Sequence, residues 1–326
     1  MLLYTVRRLL WIVPVLFVAS VVTFWLMHAA PGSPWNREGR QLAPALVASL
    51  NERFALDQPL PVQYVRWLGG VLQGDFGTSF TSGEVPVSQN PFHIETTNVA
   101  EVLGPAFLPS LTLLGLAFTL ALVVGVGLGV VAAWNHNRLP DHLATGVTLL
   151  GMVGPPFLIA VLLQIAFDTH SLRNPGILPV RGWGTPAHWV LPTIALAGLP
   201  MAMIARFTRG SMLEVIGEAY VRTAHSKGLP PRRVALVHVL RNALIPVVAI
   251  LGPVLAVLIT SSIVIEHVFA IPGVGGLYLL AITSRDYGVI MSMTLVYTVA
   301  VAGLNLLVDL LYGVIDPRVR EATVAA

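Results

Sequence analysis

The chain has 326 residues, of which 55% are hydrophobic and 11% charged, and its mean hydropathy is +0.77, values outside the range of ordinary soluble domains. A formal net charge of +3 gives no reason to expect a nucleic-acid partner, and where the charges lie matters more. With no cysteine, disulfides, thiolate metal sites and cysteine nucleophiles are excluded.

A helix needs about 20 apolar residues to cross a bilayer. Six windows qualify: Leu9 to Met27, Leu111 to Ala133, Leu143 to Phe167, Trp189 to Phe207, Leu244 to Ile265 and Val289 to Tyr312. None alternates as a barrel strand would, so the expected class is an all-α, polytopic membrane protein with six transmembrane helices. Arg7 and Arg8 ahead of the first run, and His28-Ala29-Ala30 after it, resemble a signal peptide. The run is longer than such a peptide's apolar region, so residues 1–30 are read as an uncleaved first helix.

Residues 31–109 form a loop too long for a plain connector and are expected to be a small extracytoplasmic subdomain. Leu42 to Phe54 and Pro59 to Leu72 carry helix-like apolar patterns, and GDFGTSF from Gly74 is rich in turn residues. The polar run from Thr81 to Thr97, with Pro86 and Pro91, is expected to be mobile, and serves either outside contact or nothing.

Residues 110–316 hold the other five spans. Gly125, Gly127 and Gly129 in the second allow another helix backbone to approach. The third is interrupted at Gly151-Met152-Val153-Gly154-Pro155-Pro156, and Pro192, Pro200, Pro246 and Pro253 recur in the fourth and fifth. Such breaks suit a bundle bent around a pathway. The few polar residues in or near spans are Gln164, Asp168, Asn305 and Asp309. Both carboxylates fall near helix ends, where they are read as structural, and a proton-driven carrier would want them nearer the midplane.

Orientation follows from Lys and Arg in short flanks. An inside N-terminus puts twelve on the cytoplasmic side: Arg7, Arg8, Arg138, Arg206, Arg209, Arg222, Lys227, Arg232, Arg233, Arg241, Arg318 and Arg320. Three lie opposite, Arg173, Arg181 and Arg285. Both termini, including the tail at 317–326, are therefore expected in the cytoplasm.

Enzyme motifs are missing. Lys227 follows Ser226 but lies in no phosphate-binding glycine loop, the histidines lack metal-ligand spacing, and Gly210-Ser211 lacks the serine-hydrolase frame. The chain is read as non-catalytic, with no cofactor of its own, so energy must come from a partner or a gradient.

One cytoplasmic stretch stands out, 214–246. It holds the only lysine, Lys227, with Arg222, His225, Arg232, Arg233, His238 and Arg241. Glu214 to Lys227 reads as one amphipathic helix continuing the fourth span and closed by Gly228 as its left-handed residue. Leu229-Pro230-Pro231 turns the chain, and Arg232 to Asn242 starts a second helix, with Pro231 in its first turn. Anionic lipid could attract such a knob. The small residues Ala219, Thr223, Ala224, Ser226 and Gly228 instead favour a protein dock, since they admit another backbone.

Here the sequence resembles the permease subunits of bacterial ABC importers, in the dipeptide, oligopeptide and nickel branch. That family's signature is Glu-Ala-Ala with a glycine four residues after the second alanine. Ala224 and Gly228 match its last alanine and glycine, while Arg222 and Thr223 replace the Glu and first Ala. The branch's own version is matched by Tyr220 to Ala224 and Lys227 to Leu229, and its continuation by His238, Arg241, Asn242, Ala243, Leu244 and Pro246. GDFGTSF, Glu266 to Leu277, Arg285-Asp286-Tyr287, Asn305, Asp309, Tyr312 and Asp316-Pro317-Arg318 also fit its pattern. Two departures are a longer, more polar run from Val87 to Leu103, and Gly288 where proline commonly follows Arg-Asp-Tyr.

The resemblance implies a type I importer permease fold in a bacterial inner membrane. It also implies a second homologous permease, two ATPase subunits that bind ATP and Mg, an extracytoplasmic solute-binding protein, a peptide substrate and surrounding membrane lipids. The ATPase-coupling residues would be Ala219, Tyr220, Arg222, Thr223, Ala224, His225, Ser226, Lys227, Gly228 and Leu229. Nickel complexes, glutathione or oligosaccharides are alternative cargoes. A self-sufficient channel or carrier and a non-transporting scaffold are the rival classes.

Overall fold

The computed structural model of the chain describes residues 2–30, 44–53, 55–79, 98–167 and 178–315. Asp168, Arg173, the run from Thr81 to Thr97, Asp316-Pro317-Arg318 and Arg320 lie outside the described residues, as do the side chains of Asp309 and Tyr312.

The described elements are helical: α1 (Leu2–Ala29), α2 (Pro44–Arg53), α3 (Leu60–Val71), α4 (Val99–Trp134), α5 (Leu139–Val153), α6 (Pro156–Phe167), α7 (Pro186–Ile216), α8 (Ala219–Ser226), α9 (Pro231–Arg233), a π-helical turn (Val234–Val239), α10 (Leu240–Val268), α11 (Val274–Ser284) and α12 (Tyr287–Ile315). Five stretches are long and apolar enough to cross a membrane: Val6–Ala29, Val99–Trp134, Pro186–Ile216, Pro231–Val268 and Tyr287–Val308. The pair α5 and α6 makes a sixth if taken as one bent span, and its two halves meet at 103°. Each expected apolar window falls on one of these. The third is far more bent than a proline kink alone requires, because the chain leaves the helix at Gly154 (ψ 124) and restarts at Pro156.

The chain divides into two compact units. The first comprises Met1–Arg8, Leu111–Ile271 and Val301–Ala326. At its centre is α7, the most buried of the candidate spans, which small residues allow its neighbours to approach. A Cβ on Gly125 would lie 2.8 Å from the Met201 carbonyl oxygen, one on Gly129 2.7 Å from that of Ala205, and one on Gly151 2.6 Å from that of Gly198. The expected glycine pair is thus Gly125 and Gly129 packed on α7, whereas Gly127 has open space beside it. Leu113, Leu191, Leu196, Ile204, Leu258 and Ile265 fill the core. Gln164 Nε2 donates to the carbonyls of Val180 (3.0 Å) and Val268 (2.8 Å), which satisfies the loop and the end of α10 with one amide. Asn305 packs against α10 at Gly252, where a Cβ would come 2.8 Å from its Oδ1.

The second unit comprises Leu9–Ser110 and Pro272–Ala300. The two loop helices form close to where their patterns predict. Tyr64 on α3 shares a 2.8 Å hydrogen bond with Ser20 on α1 and stacks edge-on against Phe17 and Phe24. Helix α4 begins at Val99, well ahead of the apolar window at Leu111, despite Pro105 and Pro109 within it. Asn98 starts it, its Oδ1 accepting from the Ala100 amide at 2.9 Å, a capping signal that polarity and proline had masked.

Candidate functional site

The basic stretch folds differently from the single helix expected over Glu214 to Lys227. Helix α7 stops at Ile216, Gly217 closes it, and Glu218 is extended (φ −69, ψ 149) before α8 starts as a separate helix. The break is stabilised locally, since the Arg222 guanidinium donates to the Gly217 carbonyl at 3.2 Å. The second expected helix, Arg232 to Asn242, is likewise composite. Pro230 and Pro231 open α9, the π-helical turn follows, and α10 continues from Leu240.

Gly228 does close α8. It has φ +72, its amide donates to the His225 carbonyl at 2.9 Å, and the Leu229 amide reaches the Ala224 carbonyl at 3.4 Å. These are the two bonds of a Schellman motif. Val221 and Ala224 face inward, into a cluster with Ala133, Met212, Val234, Val239 and Ala243, and burying Val221 contributes about 1.5 to 2 kcal/mol. Ala224 is therefore part of the knob's own core and cannot receive a partner's backbone, contrary to the sequence reading of it. Tyr220 accepts from Asn242 Nδ2 at 2.7 Å, tying α8 to α10.

At 100° per residue, the face opposite Val221 and Ala224 carries Ala219, Thr223, Ser226 and Arg222, flanked by Tyr220 and His225. All six are exposed, as are Lys227 and Gly228. The hydroxyls of Thr223 and Ser226 bond back to the carbonyls of Ala219 and Arg222 at 3.0 Å each. The outer face thus offers small, internally satisfied positions with cationic groups beside them. Arg232, Arg233 and Arg241 are also exposed, His238 half-buried, and Leu229 half-buried as the turn's apolar plug. Exposed small positions with cationic groups beside them, on a helix packed from below, suit docking.

Sequence reasoning missed two polar constellations. In the first unit, Arg209 grips Asp141 with both ends of its guanidinium, at 2.8 Å and 2.9 Å. Asp141, 2% exposed, also accepts from the Asn137 amide at 2.9 Å. These groups lie far apart in sequence, and Asp141 after Pro140 looks only like a helix start. In the second unit, residues 74–79 of the GDFGTSF motif and Arg285-Asp286-Tyr287 meet. Gly74 (φ +82) ends the α3 segment and Gly77 (φ +86) turns again. Arg285 takes a left-handed conformation (φ 56) after α11, while Asp286 caps α12 through a bond from the Val289 amide at 3.3 Å. Ser79 donates to the other oxygen of Asp286, and Ser292 donates to the Phe76 carbonyl at 3.0 Å. Gly288 lies so close to the Thr78 carbonyl that a Cβ would collide with it, which gives a physical reason for glycine at that departure from the branch pattern.

Comparison with known proteins agrees along the chain. Residues 125–321 match the family described as binding-protein-dependent transport system inner membrane component, and residues 1–113 match its N-terminal companion. The dipeptide transport system permease protein DppB of Bacillus subtilis is 39% identical over 317 residues, 97% of each chain. The oligopeptide transport system permease protein OppB of Haemophilus influenzae is 37% identical over 322 residues, 98% of this chain and all of that one. The glutathione transport system permease protein GsiC of Salmonella paratyphi A is 37% identical over 321 residues, 98% of this chain and 99% of that one. This multi-pass chain therefore belongs to the family of inner membrane components of binding-protein-dependent transport systems.

Proposed function

We propose that this chain is a membrane-spanning permease subunit of an ATP-driven importer of dipeptides and oligopeptides. It lines half of the translocation pathway beside a second, homologous permease. Two partner ATPases bind ATP and Mg, and an extracytoplasmic solute-binding protein delivers the peptide. Both termini and the knob face the cytoplasm, residues 31–109 face outward, and 110–316 form the pathway core.

The observation that carries this reading is the shape of α8. Its inner face is fused by Val221 and Ala224 to residues of α4, α7 and α10, and its outer face is exposed. A load applied to the outer face of such an element reaches three spans through packed side chains. ATP-driven closure of the ATPases would move the knob, tilt these spans and turn the pathway outward, and hydrolysis would reset it. The glutathione permease among the relatives supports a second cargo of the same chemistry, glutathione being itself a small peptide.

The test is the reconstituted complex in liposomes, assayed for peptide-stimulated ATPase activity and uptake. Gly228→Leu places a bulky side chain on a left-handed residue, and the expected result is loss of stimulation with membrane insertion intact. Undiminished stimulation would contradict the coupling role. Uptake by this chain alone, without ATP, would contradict the importer reading.

A further inference from the structure

A cavity of about 400 Å3 lies among α4, α5 and α7 in the first unit, away from the outer face of α8. At one end are Thr145, Arg206 and Arg209, and at the other Leu149 and Met152. The helix register fixes that polarity. Asp141 on α5 is level with Arg209 on α7, and Gly151 is level with Gly198, so the two helices run antiparallel. Met152 therefore sits about 10 Å deeper than Thr145 along α5.

The charges at the polar end do not cancel. Asp141 neutralises Arg209 through its paired bonds. Arg206, exposed at the end of the apolar run that begins at Trp189, has no hydrogen-bond or ion-pair partner among the described residues. A guanidinium at the edge of a membrane span snorkels to the headgroup level, where an anionic phosphate can meet it. The apolar end opens outward, since Leu149 and Met152 are 54% and 37% exposed, and Leu139, Leu143, Leu150 and Val153 cover the same helix with exposed hydrocarbon. A ligand that fits must present one negative charge to Arg206 and run hydrocarbon down α5.

We propose that this cavity binds one anionic phospholipid, with its phosphate on Arg206 and the start of an acyl chain against Leu149 and Met152. Thr145 lies beside the headgroup, and the Arg209–Asp141 pair ties α5 to α7 at the cavity's polar end. The site depends only on the chain spanning a membrane, not on what is transported.

The test is native mass spectrometry of the full chain, stripped of lipid in detergent. It is titrated with phosphatidylglycerol, with phosphatidylcholine of the same acyl chains, and with inorganic phosphate as a third arm. Phosphatidylglycerol should bind roughly fivefold better than phosphatidylcholine, the effect of one arginine at a membrane surface. Arg206→Gln should erase that preference, whereas Arg233→Gln, outside the cavity, should keep it. Gly210→Leu should lower occupancy by both lipids, because a Cβ at this cavity-lining glycine meets nothing within 4 Å and its side chain can fill the space. Equal binding of the two lipids, an equal loss in Arg233→Gln, full occupancy in Gly210→Leu, or displacement of the lipid by inorganic phosphate would overturn the proposal.

Discussion

The knob around α8 and the junction of GDFGTSF with Arg285-Asp286-Tyr287 both carry residues of the branch pattern, yet their polar groups are disposed in opposite ways. At the junction, Ser79 and Asp286 are buried, Ser79 donates to Asp286, and Gly288 makes room for a backbone carbonyl. Those residue types are accounted for by the fold itself. On α8 the buried positions, Val221 and Ala224, are apolar, and Arg222, His225 and Lys227 point into solvent. Apart from the bond of Arg222 to the Gly217 carbonyl, nothing among the described residues engages these cations. A motif residue satisfied within its own unit maintains structure, whereas one exposed on a rigid mount is open to a partner.

Substitutions should separate the two regions by what they damage. The largest loss of stability is expected for Gly288→Val, which must push the Thr78 backbone aside at a cost of about 3 kcal/mol, read as a lower melting temperature of the purified chain. Asp286→Ala removes the acceptor of Ser79 and the cap of α12, and should cost about 2 kcal/mol in the same measurement. Gly228→Ala follows at about 1 kcal/mol, because alanine in the left-handed region is strained although space is open around it. The smallest effect on melting is expected for Arg222→Gln, within about 0.5 kcal/mol, while peptide-stimulated ATPase activity of the complex should fall. An Arg222→Gln variant that melted as early as Gly288→Val would erase the distinction between the regions.

The sequence made some of this legible and hid the rest for identifiable reasons. Six apolar windows, two short helices in the long loop and the left-handed turn at Gly228 follow from local signals of hydrophobic runs and turn residues, and they recur in the structure. The break at Gly217 was hidden because apolar periodicity continues through it and only the extended backbone of Glu218 ends the helix. The early start of α4 was hidden behind Pro105 and Pro109, which a long helix tolerates when its other bonds are kept. The pairing of Asp141 with Arg209 and of Ser79 with Asp286 spans 68 and 207 residues, and no local pattern predicts partners at such separations. Exposure of the outer face of α8, with Ala224 turned inward, needed the helix register that only the break at Gly217 sets.

The central claim, that the outer face of α8 is read by another protein, can be tested by single-site crosslinking, since the chain has no cysteine of its own. Ser226→Cys on the outer face and Ser79→Cys at the junction would each carry a short crosslinker in the assembled complex. A product with the ATPase subunits is expected from position 226, its yield changed by ATP, and none from position 79. No ATPase product from position 226, with the complex assembled and active, would contradict it.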